Sequence, residues 1–323
     1  GSPRGVPLLG LDLPSLGLRG GWRERHGNFV LLPPSVRGAQ GAGYAPPRGI
    51  VHFLGGAFVG AVPHLAYRHL LEGLAEEGFV IVATPYQLGF DYLQTCDEVL
   101  ERFDRIAPML SRQFGAVPVV GVGHSAGALL QVIVSSLFPN APRSSNVLMS
   151  FNNRPAREAI PGLEELVVPA ASLAMGPEAA PLRRRAEAAA AAAAAVAEAA
   201  AAWELAPPFL QAELLPLARE SSELVRQLPP LLSSISSGAG GEVEFTPTPA
   251  DTHEACRRMY RARRTLLVKF TDDTIDETDT IAKALREAGT LIKMRRPQAA
   301  EIGVETRVLE GTHITPLQQD LLP

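Results

Sequence analysis

The sequence predicts an α/β fold, with a mainly parallel central sheet flanked by helices. Short apolar runs alternate along the chain with longer segments whose apolar residues recur at helical spacing. The short runs are apolar throughout, which is typical of parallel strands buried on both faces. The predicted strands are 28–34, 48–56, 79–86, 117–123, 146–152, 264–270 and 306–311, and the predicted helices between and after them are 66–78, 95–114, 128–138 and 275–289.

Length, composition and charge narrow the class of protein. The chain has 323 residues, of which 46% are hydrophobic, so it can bury the core of one large domain. A net charge of −4 gives no general attraction to nucleic acid, and we expect no nucleic-acid partner. Cys96 and Cys256 lie outside any metal-ligand spacing, and we expect neither a metal nor another cofactor. No apolar run long enough for a transmembrane helix occurs.

The middle of the chain interrupts the alternation of strands and helices. We expect a single domain over residues 1–323, with its core at about 22–152 and 262–320. Residues 153–261 are then a helical cap or lid-like insertion, including a low-complexity, alanine-rich part at 178–206. Residues 207–235 are rich in Leu and Pro and have an amphipathic pattern. An insertion of this kind in a parallel sheet is a candidate lid over the carboxyl ends of the strands.

The motif G-x-S-x-G occurs as GHSAG at residues 123–127, between a predicted strand and a predicted helix. In this context the motif is typical of a nucleophile elbow, a sharp strand-to-helix turn that exposes the serine hydroxyl. Ser125 is therefore the candidate nucleophile. The N–H of Ala126, in the first turn of the helix, is a candidate donor to a developing oxyanion. The alternative is an ordinary tight turn that uses small residues for packing.

A serine nucleophile needs a histidine base and an acid that orients it, and in α/β-hydrolases both follow the serine in the chain. The strand 264–270 is followed by TDDTIDE, which offers Asp272, Asp273 and Asp276. Asp273 falls where the acid of such enzymes usually lies, and the other two stay open as alternatives. A helix N-cap is the competing role for each of these carboxylates.

The candidate base is His313, in the segment VLEGTHITPL after the last predicted strand. Its place near the C-terminus is where a catalytic histidine loop belongs in this chain order. His253, which we expect to precede a helix in the insertion, is its main rival.

A second oxyanion donor should come from the loop after an early strand. The segment LGGAFVG at 54–60 supplies such a loop, because its glycines let the backbone turn N–H groups inward. We expect Gly56 or Ala57, together with Ala126, to form the oxyanion hole.

Several phrases resemble one family closely. They are HFLGGAFVGAVPHLAYRHLLEGLA, ATPYQLGFDY, GVGHSAGALLQ, SFNNRPAREAIP and LLVKFTDDTIDET. Together they resemble the domain of unknown function 1350 family, an α/β-hydrolase-like group of plants, algae and cyanobacteria. The resemblance implies an α/β-hydrolase fold and a chloroplast location, in the stroma or peripheral on the thylakoid. The wider hydrolase pattern assigns Ser125, Asp273 and His313 as the triad. The loop LGGA departs from the HGGG common in lipases.

Two functions fit these observations. The first is a serine hydrolase acting on an ester or thioester with an apolar acyl part, for which the Leu-rich insertion would be a suitable lid. The second is a non-catalytic assembly or binding factor for a photosynthetic membrane complex. Its partner would be the thylakoid membrane or a photosystem-associated protein, and its triad would be inherited without use.

Overall fold

The computed structural model describes residues 21–36, 46–57, 60, 62–87, 89–155, 244–295, 298 and 302–317. Most of the predicted insertion at 153–261, with the alanine-rich part at 178–206 and the Leu/Pro-rich part at 207–235, lies outside the described residues.

Eight strands form one sheet in the order β1-β2-β4-β3-β5-β6-β7-β8. The first two strands pair antiparallel, β2 also joins β4 antiparallel, and every pairing from β4 through β8 is parallel. The strands are β1 (Arg23–Arg25), β2 (Asn28–Leu31), β3 (Gly49–Leu54), β4 (Phe79–Ala83), β5 (Val119–His124), β6 (Ser145–Met149), β7 (Arg264–Phe270) and β8 (Gly303–Leu309). The predicted α/β class with a mainly parallel sheet is confirmed.

The described helices connect these strands. They are α1 (Pro63–Ala66), α2 (Arg68–Glu76), α3 (Tyr92–Phe114), α4 (Ala126–Leu137), α5 (Pro249–Met259) and α6 (Thr278–Arg295), with a 3₁₀ turn at Thr315–Leu317. The single helix predicted at 66–78 is instead two, because Tyr67 adopts φ −115° and ψ 25° between them. Tyr67 therefore lies between the two helices and outside both.

Packing on both faces of the sheet explains why the strand runs are uniformly apolar. Alternate residues of a strand point to opposite faces. In β3, Val51 and Phe53 join a cluster that contains Leu71 of α2, whereas Ile50 joins a second cluster that contains Ile106 of α3. All six residues of β3 are buried as a result.

The described residues fall into two units. One contains the described parts of 21–87, 93–152 and 252–317, which include the whole sheet. The other contains 89–92, 153–155 and 244–251, where Phe245 stacks on Phe90 and Tyr92. No helix within the described part of the chain is long and apolar enough to span a membrane. The predicted division into a core and an insertion stays a prediction.

Candidate active site

Ser125 occupies a sharp turn between β5 and α4. Its backbone has φ 54° and ψ −121°, a region of backbone conformation that residues other than glycine rarely adopt. A hydrogen bond to the neighbouring strand β6 holds the turn in place, because the Ser125 N–H donates to the Met149 carbonyl at 2.9 Å. The first residue of α4 follows at once, so the N–H of Ala126 belongs to the group that has no acceptor within its own helix. This geometry is that of a nucleophile elbow.

The two glycines of the motif are required by close backbone contacts. A Cβ on Gly127 would lie 2.1 Å from the Leu54 carbonyl oxygen and 2.3 Å from that of Gly55. A Cβ on Gly123 would lie 2.4 Å from the Gly127 carbonyl oxygen. Helix α4 therefore starts directly against the end of β3, which brings the loop after β3 to the serine.

The structure brings Asp273 and His313 together. Asp273 lies after β7 and His313 after β8, and these two strands are parallel neighbours, so their carboxyl ends meet. The Nδ1 atom of His313 and Oδ2 of Asp273 are 2.8 Å apart. The other carboxylate oxygen accepts the Ile275 N–H at 3.1 Å, and the Asp273 side chain is fully buried. Because a carboxylate only accepts, the neutral imidazole carries its proton on Nδ1 and leaves Nε2 as the basic nitrogen.

The other candidates have different surroundings. Asp276 caps α6, accepting the Thr278 N–H at 3.1 Å and the Thr278 hydroxyl at 2.5 Å. The Asp272 carboxylate accepts only a long bond of 3.4 Å from the neighbouring Thr271 hydroxyl. His253 lies within α5, so the prediction that it precedes a helix is wrong. The sequence TPTPAD before it allows the helix to start at Pro249 because proline is compatible with the first helical turn.

The loop after β3 passes directly beside the serine. A Cβ placed on Gly56 would lie 3.3 Å from the Cβ of Ser125 and 3.1 Å from Nδ1 of His124. The Gly56 N–H donates to the Tyr67 hydroxyl oxygen at 2.7 Å. Of the two predicted loop donors, Gly56 thus already has an acceptor inside the protein. The predicted role of Ala57 as the second donor to an oxyanion stays a prediction.

Two residues of this site were not among the sequence candidates. The Tyr67 hydroxyl contacts Nδ1 of His124 at 2.8 Å, and Nε2 of His124 contacts the backbone oxygen of His313 at 2.8 Å. His124 is the second residue of the G-x-S-x-G motif, a position at which the motif specifies no particular residue. Tyr67 has no sequence signal at all, because it lies in a segment that reads as one continuous helix.

No group of three or more His, Cys, Asp or Glu side chains among the described residues is arranged to hold a metal ion.

A parallel sheet with a strained serine turn after β5, and with an acid and a histidine after β7 and β8, defines an α/β-hydrolase-fold protein. Within that class the chain belongs to the family described as "Protein of unknown function (DUF1350)", which it matches over residues 21–186 and 217–322. A search of curated proteins finds no match to the sequence.

Several solved structures are similar at low sequence identity. The enol-lactonase from Burkholderia xenovorans LB400 is 13% identical, with a TM-score of 0.44, and the match covers 91% of this chain and 93% of that one. Thermogutta terrifontis esterase 2 phosphonylated by sarin is 15% identical, with a TM-score of 0.45 and coverage of 88% and 79%. A carboxylesterase of Nitrososphaera gargenis is 12% identical, with a TM-score of 0.42 and coverage of 94% and 92%.

Proposed function

We propose that the protein is a serine hydrolase that cleaves an ester or thioester with an apolar acyl group. The observation that carries the proposal is the hydrogen bond between His313 and Asp273, in a chain whose Ser125 has the backbone strain of a nucleophile elbow. In acyl transfer, a buried carboxylate of this kind holds the histidine in the orientation in which it can take the serine proton. The apolar acyl group rests on the Leu/Pro-rich segment 207–235 of the sequence.

In the proposed reaction Ser125 Oγ attacks the carbonyl carbon while Nε2 of His313 takes the serine proton. The buried Asp273 carboxylate stabilises the imidazolium that forms. The oxyanion of the tetrahedral intermediate accepts hydrogen bonds from the N–H groups of Ala126 and Ala57. Collapse of the intermediate breaks the bond to the alcohol or thiol, which leaves with the proton from His313. Water then attacks the acyl-serine with His313 as base, releasing the carboxylic acid and free Ser125.

The nucleophile is tested by covalent labelling and ester hydrolysis. We expect wild-type protein to react with a fluorophosphonate probe and to hydrolyse p-nitrophenyl esters of medium-length fatty acids. The Ser125→Ala variant should lose labelling, with turnover reduced by about 10⁴-fold or more, because no attacking oxygen is left. Ser111→Ala is the matched control, since Ser111 is exposed on α3.

The same experiment separates this function from the alternative. A wild-type protein that is folded, as shown by circular dichroism, but neither labelled nor active would contradict the hydrolase proposal. It would favour the non-catalytic assembly or binding factor for a photosynthetic membrane complex, with a thylakoid or photosystem-associated partner. For either function we propose the chloroplast as the location, supported by the family resemblance alone.

A further inference from the structure

The side chain of His124 bridges the two loops that flank the serine. On one side its Nδ1 contacts the Tyr67 hydroxyl at 2.8 Å, and that hydroxyl accepts the Gly56 N–H at 2.7 Å. On the other side its Nε2 contacts the His313 backbone oxygen at 2.8 Å. These three contacts, here called the Tyr67–His124 bridge, connect the loop after β3 to the loop that carries the histidine base.

The chemistry of the end groups fixes every proton in the bridge. A backbone carbonyl only accepts, so Nε2 of His124 donates to His313 and carries the ring proton. In the neutral imidazole Nδ1 is then the acceptor, and the Tyr67 O–H donates to it. The Tyr67 oxygen retains lone pairs and accepts the Gly56 N–H. The bridge therefore runs in one direction, with every donor facing an acceptor.

Burial supports this arrangement. Tyr67 is 1% exposed and His124 is 2% exposed, and their rings meet edge-on with centroids 5.6 Å apart. Burial, aided by the nearby His313, lowers the pKa of His124 to about 4, against opposing contributions from the His313 carbonyl and from Asp273. His124 is thus neutral at pH 7, as the single-proton assignment requires. Leaving one member of a buried network without its partner is costly.

We propose that Tyr67 and His124 are positioning residues that hold the His313 loop and the loop at residues 55–57 in place on either side of Ser125. This inference rests on the proposed hydrolase function. The bridge also bears on the choice of oxyanion donor: because the Gly56 N–H is directed at Tyr67, we assign the second donor role to the Ala57 N–H. Neither positioning residue exchanges a proton with the substrate.

The kinetic test removes only the hydroxyl of the bridge. We expect Tyr67→Phe to lower kcat about 10- to 100-fold, because a shift of about 1 Å in either loop would misplace a reacting group, with KM for a p-nitrophenyl ester changed little. Tyr260→Phe is the matched control, because Tyr260 is equally buried and its hydroxyl bonds Asn146 and Thr265. Both variants should lose similar stability, but only Tyr67→Phe should lose kcat. Equal effects of the two variants on kcat would overturn the proposal.

A second measurement does not depend on hydrolysis. We expect ¹⁵N NMR of the imidazole rings at pH 7 to show His124 protonated at Nε2 alone. We also expect the Nδ1–H signal of His313 to exchange with solvent faster in Tyr67→Phe than in wild type or Tyr260→Phe. Protonation of His124 at Nδ1, or an unchanged His313 signal in Tyr67→Phe, would refute the bridge even in an active enzyme. An inactive wild type with the expected NMR signals would refute the hydrolase function and leave the bridge standing as a structural device.

Discussion

Three carboxylates within five positions have three different surroundings. The Asp273 side chain is buried and hydrogen-bonded to His313, Asp276 caps α6, and the exposed Asp272 carboxylate accepts a long bond from its neighbour Thr271. The fixed orientation of a catalytic imidazole needs a carboxylate held on both oxygens. Asp273 meets that need, since its second oxygen accepts the Ile275 N–H.

This difference predicts unequal effects of the same chemical change. We expect Asp273→Asn to lower kcat by about 10⁴-fold, because an amide favours the wrong tautomer of His313 and cannot stabilise an imidazolium. Asp272→Asn should change kcat by less than about threefold, as surface substitutions usually do. Steady-state ester hydrolysis compares the two variants. A larger loss in Asp272→Asn than in Asp273→Asn would show that the acid is misassigned.

Local patterns could select Ser125, Asp273 and His313 as candidates because each lies just after a predicted strand, in a chain order that hydrolases share. The Tyr67–His124 bridge could not be found in this way. One of its hydrogen bonds joins residues that are 57 positions apart in the sequence, and another joins residues that are 189 positions apart. Such contacts depend on how side chains meet in three dimensions. Nothing in the neighbouring sequence of Tyr67 marks it as different from any other aromatic residue in the core.

The apolar strand runs predict the sheet well, whereas the ends of helices and strands depend on particular contacts. The strand predicted at 264–270 has those bounds in the structure. Helix α6 begins at Thr278 rather than 275, because Asp276 accepts the Thr278 N–H and acts as its cap. The helix predicted at 66–78 breaks at Tyr67, which becomes buried against Phe53 with ring centroids 4.7 Å apart. Helical spacing alone gives no sign of such a break.

The packing of α4 against β3 yields a prediction for stability. We expect Gly127→Ala to lower the free energy of unfolding by at least about 1–3 kcal/mol, because its Cβ would overlap backbone oxygens that cannot move independently. Gly73→Ala in α2 is the matched control, since a Cβ there meets nothing within 4 Å. That variant should raise the free energy of unfolding by about 0.5–1 kcal/mol, because alanine favours a helix interior. Urea titration measures both, and destabilisation by Gly73→Ala would contradict the argument.

The core of the protein holds histidines that are buried in the neutral form. His52 is fully buried, and its Nδ1 accepts from Arg143 at 2.7 Å while its Nε2 contacts the Thr84 hydroxyl at 3.0 Å. Burial, with the positive charge of Arg143, keeps the pKa of His52 well below its ordinary value. His64 stacks on Phe29 with ring centroids 3.5 Å apart, and burial lowers its pKa to about 4. The lowered pKa values of these two histidines make the free energy of unfolding depend on pH.

The sign of that dependence follows from the lowered pKa values. Between the unfolded pKa of about 6.5 and the folded pKa of about 4, the unfolded chain binds protons at His64 that the folded protein does not. The contribution of neutral His64 to the free energy of unfolding is therefore fully present above pH 6.5, and it is lost as the pH falls toward 4. The loss amounts to about 1.4 kcal/mol per pH unit, or about 3 kcal/mol across the window.

A single substitution isolates the part due to His64. We expect wild-type stability to fall steeply between pH 6.5 and pH 4.5, and His64→Phe to fall less steeply by about 1.4 kcal/mol per pH unit. Phenylalanine keeps a ring against Phe29 but binds no proton. Urea titrations at several pH values, followed by the fluorescence of the buried Trp22, give both slopes. Equal slopes would mean that His64 is as easily protonated in the folded protein as in the unfolded chain, contrary to its burial.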